Sequence, residues 1–376
     1  MLYPLTFNPV YKDYLWGGRG LSRFGKILPR NKKAAESWEI SAHQNGLSVV
    51  RNGPLAGQSL QELVDLYGDE LTGTLAAGSK TGRFPLLIKL IDASDRLSVQ
   101  VHPDDNYAFT HEKGDSGKNE MWYVLHAEPG AKLIAGVKPG TTKDLFARSI
   151  TQGNCLDYLN QIPVKSGDAI NIPAGLVHAI GEGLIIYEVQ QNSDTTYRVY
   201  DYDRTDTDGS KRELHIQQAL DVIDFHADHK TACVPGITIR QGEDECHTRR
   251  VLVVNQYIKS EHWYLQGRIR IKGDRRRFTA LTVLDGTGIV YSGDTGHKQV
   301  ETRLAQGDSC LIPASLNSWE IEGKVSLIAA TVSDFEQDLC ELASLLEGQP
   351  EDLTDFKAKL SFFTGKIGLQ PIPPVR

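Results

Sequence analysis

The chain has 376 residues, long enough for two or three domains, and its 40% hydrophobic content is that of a chain that buries a core, which excludes a disordered or fibrous protein. A formal charge of -7, from 41 basic and 48 acidic residues, argues against general affinity for nucleic acid, so any phosphate site must be local. The start carries no signal-peptide pattern, no apolar run approaches ~20 residues, and Cys155, Cys233, Cys246, Cys310 and Cys340 form no C-x-x-C pair; a cytoplasmic protein with reduced thiols and no membrane partner is expected.

Short runs rich in Val, Ile, Leu and Tyr, separated by glycines and prolines, predict a mainly β fold. In chain order, helical periodicity behind a Ser or Thr predicts a helix over residues 59–71 and another over 142–159. Strands are expected at 85–91, 97–101, 120–125, 132–136, 169–172 and 184–190. The run Arg275-Arg276-Arg277 reads as a solvated hairpin turn rather than a polyanion site. Acidic starts and spaced apolar residues predict helices over 333–346 and 352–363, followed by a proline-rich tail over 367–376.

Gly167-Asp168-Ala169-Ile170-Asn171-Ile172-Pro173-Ala174 returns as Gly307-Asp308-Ser309-Cys310-Leu311-Ile312-Pro313-Ala314. Physically this is a glycine turn, an Asp able to bond turn amides, a short buried strand and a proline that ends the ladder. Followed by a histidine, the phrase resembles the second conserved motif of cupins, which implies two jelly-roll barrels with small helical insertions. Extending the echo sets Ser318 opposite His178, so the second barrel is expected to be metal-free. The expected organisation is a catalytic domain over 1–240, a degenerate barrel over 241–332 and a helical extension and tail over 333–376.

In Leu97-Ser98-Val99-Gln100-Val101-His102-Pro103, period two places Ser98, Gln100 and His102 on one strand face. That face is either solvated, as one side of an antiparallel sheet commonly is, or turned inward so that Gln100 and His102 grip a metal. Glu120 at the head of an apolar strand and His178 behind the Pro-Ala-Gly turn add a carboxylate and a second imidazole. Two imidazoles and two oxygens suit Zn²⁺, and a set with one anion would leave the bound ion about one net positive charge.

Four phrases carry a more specific resemblance. They are Tyr11-Lys12-Asp13-Tyr14-Leu15-Trp16-Gly17-Gly18 with Glu36-Ser37-Trp38-Glu39; residues 97–104; Gly117-Lys118-Asn119-Glu120-Met121-Trp122; and residues 172–178 continuing to Asp201. In that order, over roughly residues 1 to 320, the chain resembles the class I mannose-6-phosphate isomerases, or phosphomannose isomerases, in their shorter bacterial form. The resemblance implies one Zn²⁺ per chain held by Gln100, His102, Glu120 and His178, a sugar phosphate substrate, and Arg198 and Lys118 lining the site. A monomer or weak homodimer is expected. The pattern departs at Gly117, where some relatives carry a histidine thought to assist ring opening; zinc-bound water is then a candidate for that step.

The implied chemistry interconverts mannose 6-phosphate and fructose 6-phosphate through an enediolate, stabilised by zinc and Arg198, with a proton carried by Glu188 or Lys118. Glu188 is the favoured carrier because a carboxylate is already basic at neutral pH, whereas Lys118 needs its pKa lowered first. Ser98, Lys118 and Arg198 are the expected substrate contacts. Two rival readings are a non-catalytic zinc cupin that senses sugar phosphate and an Fe²⁺ cupin oxygenase, the latter disfavoured by Gln100 in the ligand set.

Overall fold

The computed structural model describes residues 2–76, 82–205, 209–227, 232–234, 236–241, 247–293 and 300–346. The helix expected over 352–363 and the tail lie outside them. Among the described residues the chain is mainly β, its strands gathered into three antiparallel sheets.

Two of these sheets share a core. A seven-stranded sheet runs Cys233–Val234, Ala169–Ile172, Glu120–Ala127, Leu184–Gln191, Leu86–Ala93, Glu36–Ile40 and Val10–Lys12. A five-stranded sheet runs Tyr197–Tyr200, Val99–Val101, His178–Ile180, Lys132–Val137 and Leu159–Pro163. Ile91, Trp122, Val124 and Ile186 of the first pack with Leu133, Ala135 and Ile180 of the second, the double-sheet arrangement of a jelly roll.

The third sheet runs Ile237–Gln241, His247–Val254, Ile258–Lys272, Ser318–Val332, Thr279–Ser292, Ser309–Ile312, Leu5–Asn8 and Val49–Val50, with Val300–Ala305 also paired to Thr279–Ser292. The first strand of the chain thus completes the sheet of the last, Leu5 standing opposite Leu311. One buried cluster joins the two halves, with Leu5, Leu60, Leu63 and Phe84 packed alongside Phe278 and Leu311.

The repeated octapeptide folds twice in the same way. Gly167 and Gly307 turn at φ 91° and 85°, conformations that favour glycine. Asp168 accepts a hydrogen bond from the Lys165 amide, and Asp308 from the Ala305 amide, both at 2.9 Å. The short strands Ala169–Ile172 and Ser309–Ile312 follow directly.

Three expectations need correction. The helix foreseen over 59–71 starts on a Ser59 capping box but is broken at Gly68 (φ 47°) into Leu60–Tyr67 and Asp69–Thr72. That foreseen over 142–159 covers only Lys143–Gln152, because Gly153 in the left-handed region caps it; a 3-10 turn over Cys155–Tyr158 follows, and Leu159 already belongs to a strand. The arginine run does sit at a turn, but it is not simply solvated. Arg276 pairs with Asp334 at 2.7 Å and Arg277 with the fully buried Asp338 at 2.8 Å, tying the turn to the helix Phe335–Leu346. Lys259 reaches the same Asp338 at 2.9 Å. No helix among the described residues is long and apolar enough to cross a membrane.

Where the halves meet, the Tyr123 hydroxyl and His262 Nδ1 lie 3.5 Å apart, and His262 Nε2 lies 2.7 Å from the Ser326 hydroxyl. Burial first, and Arg250 second, lower the His262 pKa from 6.5 to about 4. The unfolded chain therefore binds a proton near pH 6.5 that the folded chain refuses until about pH 4, so this residue makes stability fall as pH drops through that interval. At pH 5 the loss is about 2 kcal/mol. Unfolding free energies from denaturant titration at pH 7 and pH 5 should converge by that amount in His262→Gln relative to the unsubstituted protein; an unchanged pH dependence would reject the assignment.

Candidate metal centre and active site

The strand pattern of residues 97–103 does turn inward. Ser98 and His102 are buried, and Gln100 is half-buried. Pairing of Val99–Val101 with His178–Ile180 sets Gln100 opposite His178, and pairing with Tyr197–Tyr200 sets it opposite Arg198. Glu120 heads a strand of the other sheet, so the interior between the sheets receives donors from both.

His102, Glu120 and His178 bring their donor atoms within 4.8 Å of one another, and all three are buried. His102 donates its Nδ1–H to the Thr195 carbonyl at 2.9 Å, and His178 donates its own to the Leu176 carbonyl at 2.8 Å. Each ring thereby keeps an Nε2 lone pair, and these point at the carboxylate: His102 Nε2 lies 3.1 Å from Glu120 Oε1, and His178 Nε2 lies 3.8 Å from Oε2. The Gln100 amide stands 3.4 Å from His178 Nε2.

The electrostatics favour a cation at this point. Burial, then Lys118, lower the His102 pKa to about 3, and burial lowers that of His178, so both imidazoles are neutral. Burial opposes ionisation of Glu120, yet the Lys118 ammonium outweighs it and holds the carboxyl well below its usual range. Both Glu120 oxygens are buried, and neither receives a well-directed hydrogen bond, although Lys118 Nζ lies 2.7 Å from Oε1. Two lone pairs and an ionised carboxylate without a well-directed hydrogen bond, buried together, are the donor set that a divalent metal satisfies.

The other foreseen residues gather around this centre. Lys118 is buried, its amine 3.3 Å from His102 Nε2. Arg198 Nε donates to the Ser98 hydroxyl at 3.3 Å, and its Nη1 donates to the Glu213 carbonyl at 2.8 Å. Glu188 lies on the strand next to that of Glu120, in register with Trp122, and takes the Trp122 indole N–H at 2.9 Å. Burial and the Glu120 charge raise its pKa, with Lys89 and Lys118 opposing. Gly117 has no room for a side chain: a Cβ there would stand 2.5 Å from the Asp104 and Asp105 backbone.

The chain is similar to known proteins over most of its length. Residues 5–127 match the family model "Phosphomannose isomerase type I, catalytic domain", and residues 248–332 match "Mannose-6-phosphate isomerase, cupin domain". The mannose-6-phosphate isomerase ManA of Bacillus subtilis is 38% identical over 331 residues, covering 87% of this chain and 98% of that protein. The chain belongs to the type I mannose-6-phosphate isomerase family. A mannose-6-phosphate isomerase of Streptococcus mutans is likewise 38% identical, over 88% of this chain and 98% of that one. The crystal structure of mannose 6-phosphate isomerase from Bacillus subtilis superposes with a TM-score of 0.78 at 34% identity, over 88% of this chain and 99% of its own.

In this isomerase-family chain, Lys89 is the residue that sequence reasoning passed over. It is buried, 3.2 Å from Glu188 and 3.8 Å from Glu36, and lies over the Trp38 ring. Burial works against its charge, but Glu36 and Glu188 outweigh burial and raise its pKa. The available signal was a lysine inside the otherwise apolar Leu86-Leu87-Ile88-Lys89-Leu90-Ile91, since a buried cation without a partner is costly.

Proposed function

We propose that this chain interconverts mannose 6-phosphate and fructose 6-phosphate through an enediol or enediolate, with one zinc ion per chain held by Gln100, His102, Glu120 and His178. The observation that carries the reading is the convergence of two Nε2 lone pairs on a buried, unsatisfied carboxylate, with Lys118 against it and Glu188 on the adjoining strand. Bound there, zinc supplies a Lewis acid that polarises a carbonyl and tempers negative charge on neighbouring oxygens.

The rest is work for the chain itself. Arg198 offers a planar fork to phosphate or enediolate oxygens, and its contact with Ser98 holds the fork on the ligand-bearing face. Lys118 adds a compact positive charge. Glu188 is a carboxylate whose raised pKa brings it nearer to that of a useful proton carrier, and Lys89 keeps it from being neutralised altogether. Trp122 holds one of its oxygens, and the other lies 3.2 Å from the Lys89 amine, so both are fixed in place. Mannose 6-phosphate carries a phosphate dianion, for which Lys118 and Arg198 are the proposed cationic contacts.

The test is a coupled assay of conversion to fructose 6-phosphate, run before and after chelation and after zinc is returned. Conversion should vanish on chelation and return with zinc. A zinc-loaded protein that binds mannose 6-phosphate without converting it would favour the sensor reading instead.

A further inference from the structure

We propose that Tyr257, a residue of the C-terminal sheet's connecting turn, is a positioning residue for the metal-binding strand, acting through Asp105, Gln191 and Asn119. This inference rests on the reading of His102, Glu120 and His178 as metal ligands.

The chain of contacts is continuous. The Tyr257 hydroxyl donates to Asp105 Oδ2 at 2.9 Å. Asp105 Oδ1 accepts from the Gly117 amide at 2.8 Å and from Gln191 Nε2 at 3.0 Å. Gln191 Oε1 in turn takes both the Asn119 amide, at 3.0 Å, and the Asn119 side chain, at 2.7 Å, while the Gln191 amide donates to the Asn119 carbonyl at 3.1 Å. Asn119 is the residue immediately before Glu120, and its Oδ1 accepts from the Ala174 amide at 3.0 Å. The Gly175 amide then donates to the His102 carbonyl at 2.9 Å. All three ligand-bearing segments therefore meet at one polar knot, and that knot is tied to the other half of the molecule by Tyr257.

The turn that presents Tyr257 is itself held. Asn255 Oδ1 accepts from the Tyr257 and Ile258 amides at 2.9 and 2.8 Å, and its Nδ2 donates to Asn171 on the strand beside that of Glu120 at 3.1 Å. Asp105 is also why residue 117 is glycine, since its amide must come within hydrogen-bond reach of the carboxylate at a place where a Cβ would strike the Asp104–Asp105 backbone. An ionised acceptor fed by several donors at once is a rigid fixing point, and loss of one donor frees it to turn. The C-terminal sheet thus has a role in the chemistry of a site to which it contributes no ligand.

Tyr257→Phe removes the hydroxyl and keeps the ring. Zinc affinity by competition with a chromophoric chelator should weaken about tenfold, with kcat down by a similar factor and KM within about twofold, as for partners that orient metal ligands elsewhere. In an Asp105→Asn background the same substitution should cost less than about twofold, because the two act along one path. Zinc affinity and kcat within twofold of the unsubstituted protein would overturn the inference, even if the unfolding midpoint fell, since that result marks a purely structural tyrosine. Full additivity of the two substitutions would overturn it as well. Failure of the unsubstituted protein to bind zinc would overturn both this inference and the reading of the site.

Discussion

Glu120→Gln should cut turnover by about 10³-fold or more and leave the protein with little bound metal after dialysis, while the fold persists. The size follows from what the carboxylate does. It is the one anion in the proposed ligand set, and a Lewis acid contributes several kcal/mol to an isomerisation of this type, about a factor of ten for each 1.4 kcal/mol. Gln preserves shape and an acceptor oxygen, so what is lost is charge. The substitution also strips Lys118 of a partner 2.7 Å away, and an unpaired buried ammonium is destabilising. Lys118→Met combined with Glu120→Gln removes both charges and separates that effect: its unfolding midpoint should lie above that of Glu120→Gln alone, with turnover still absent. Metal content by elemental analysis and turnover in excess zinc are the measurements. Turnover within tenfold of the unsubstituted protein would mean that Glu120 is not a ligand.

Local chemistry was legible in the sequence, and long-range partnership was not. Gly167-Asp168 and Gly307-Asp308 were readable because a glycine turn and an Asp that bonds an amide three residues back act within a few residues of chain. The alternation of Ser98, Gln100 and His102 gave one strand face, and Glu120 and His178 stood out as polar residues heading apolar runs. Lys89 was hidden because its strand is buried on both faces, so the run reads as continuously apolar and period two says nothing about which side is polar. The joining of Leu5–Asn8 to Ser309–Ile312 and the reach of Tyr257 to Asp105, 152 residues away, depend on contacts between distant parts of the chain, for which no local pattern exists. The helix ends failed for a smaller reason: apolar periodicity continued past Gly68 and Gly153, but the backbone there turned to positive φ. Arg277 shows the same limit, for a basic run at a turn looks solvated until the acidic helix that covers it is in place.

Glu188→Gln should lower kcat by about 10² to 10⁴-fold, the range for losing a positioned proton carrier, with zinc content unchanged. The carboxylate is buried, and burial together with Glu120 lifts its pKa above 4.5, so the acid limb of the rate profile should lie above the usual range of a glutamate: as pH falls through that raised pKa the base is protonated and activity is lost. Lys89 opposes the shift from 3.2 Å away, so Lys89→Met should move the limb to still higher pH by removing the charge that favours the ionised form. The distinguishing readout is isotopic. In deuterated water the unsubstituted protein should place solvent hydrogen on the carbon that gains a proton whenever the carrier exchanges with solvent during its lifetime, and Glu188→Gln should abolish wash-in along with turnover. If Glu188→Gln turns over at near the original rate with the same wash-in, the proton travels by another group, and Lys118, whose amine already lies against the ligands, becomes the residue to replace next.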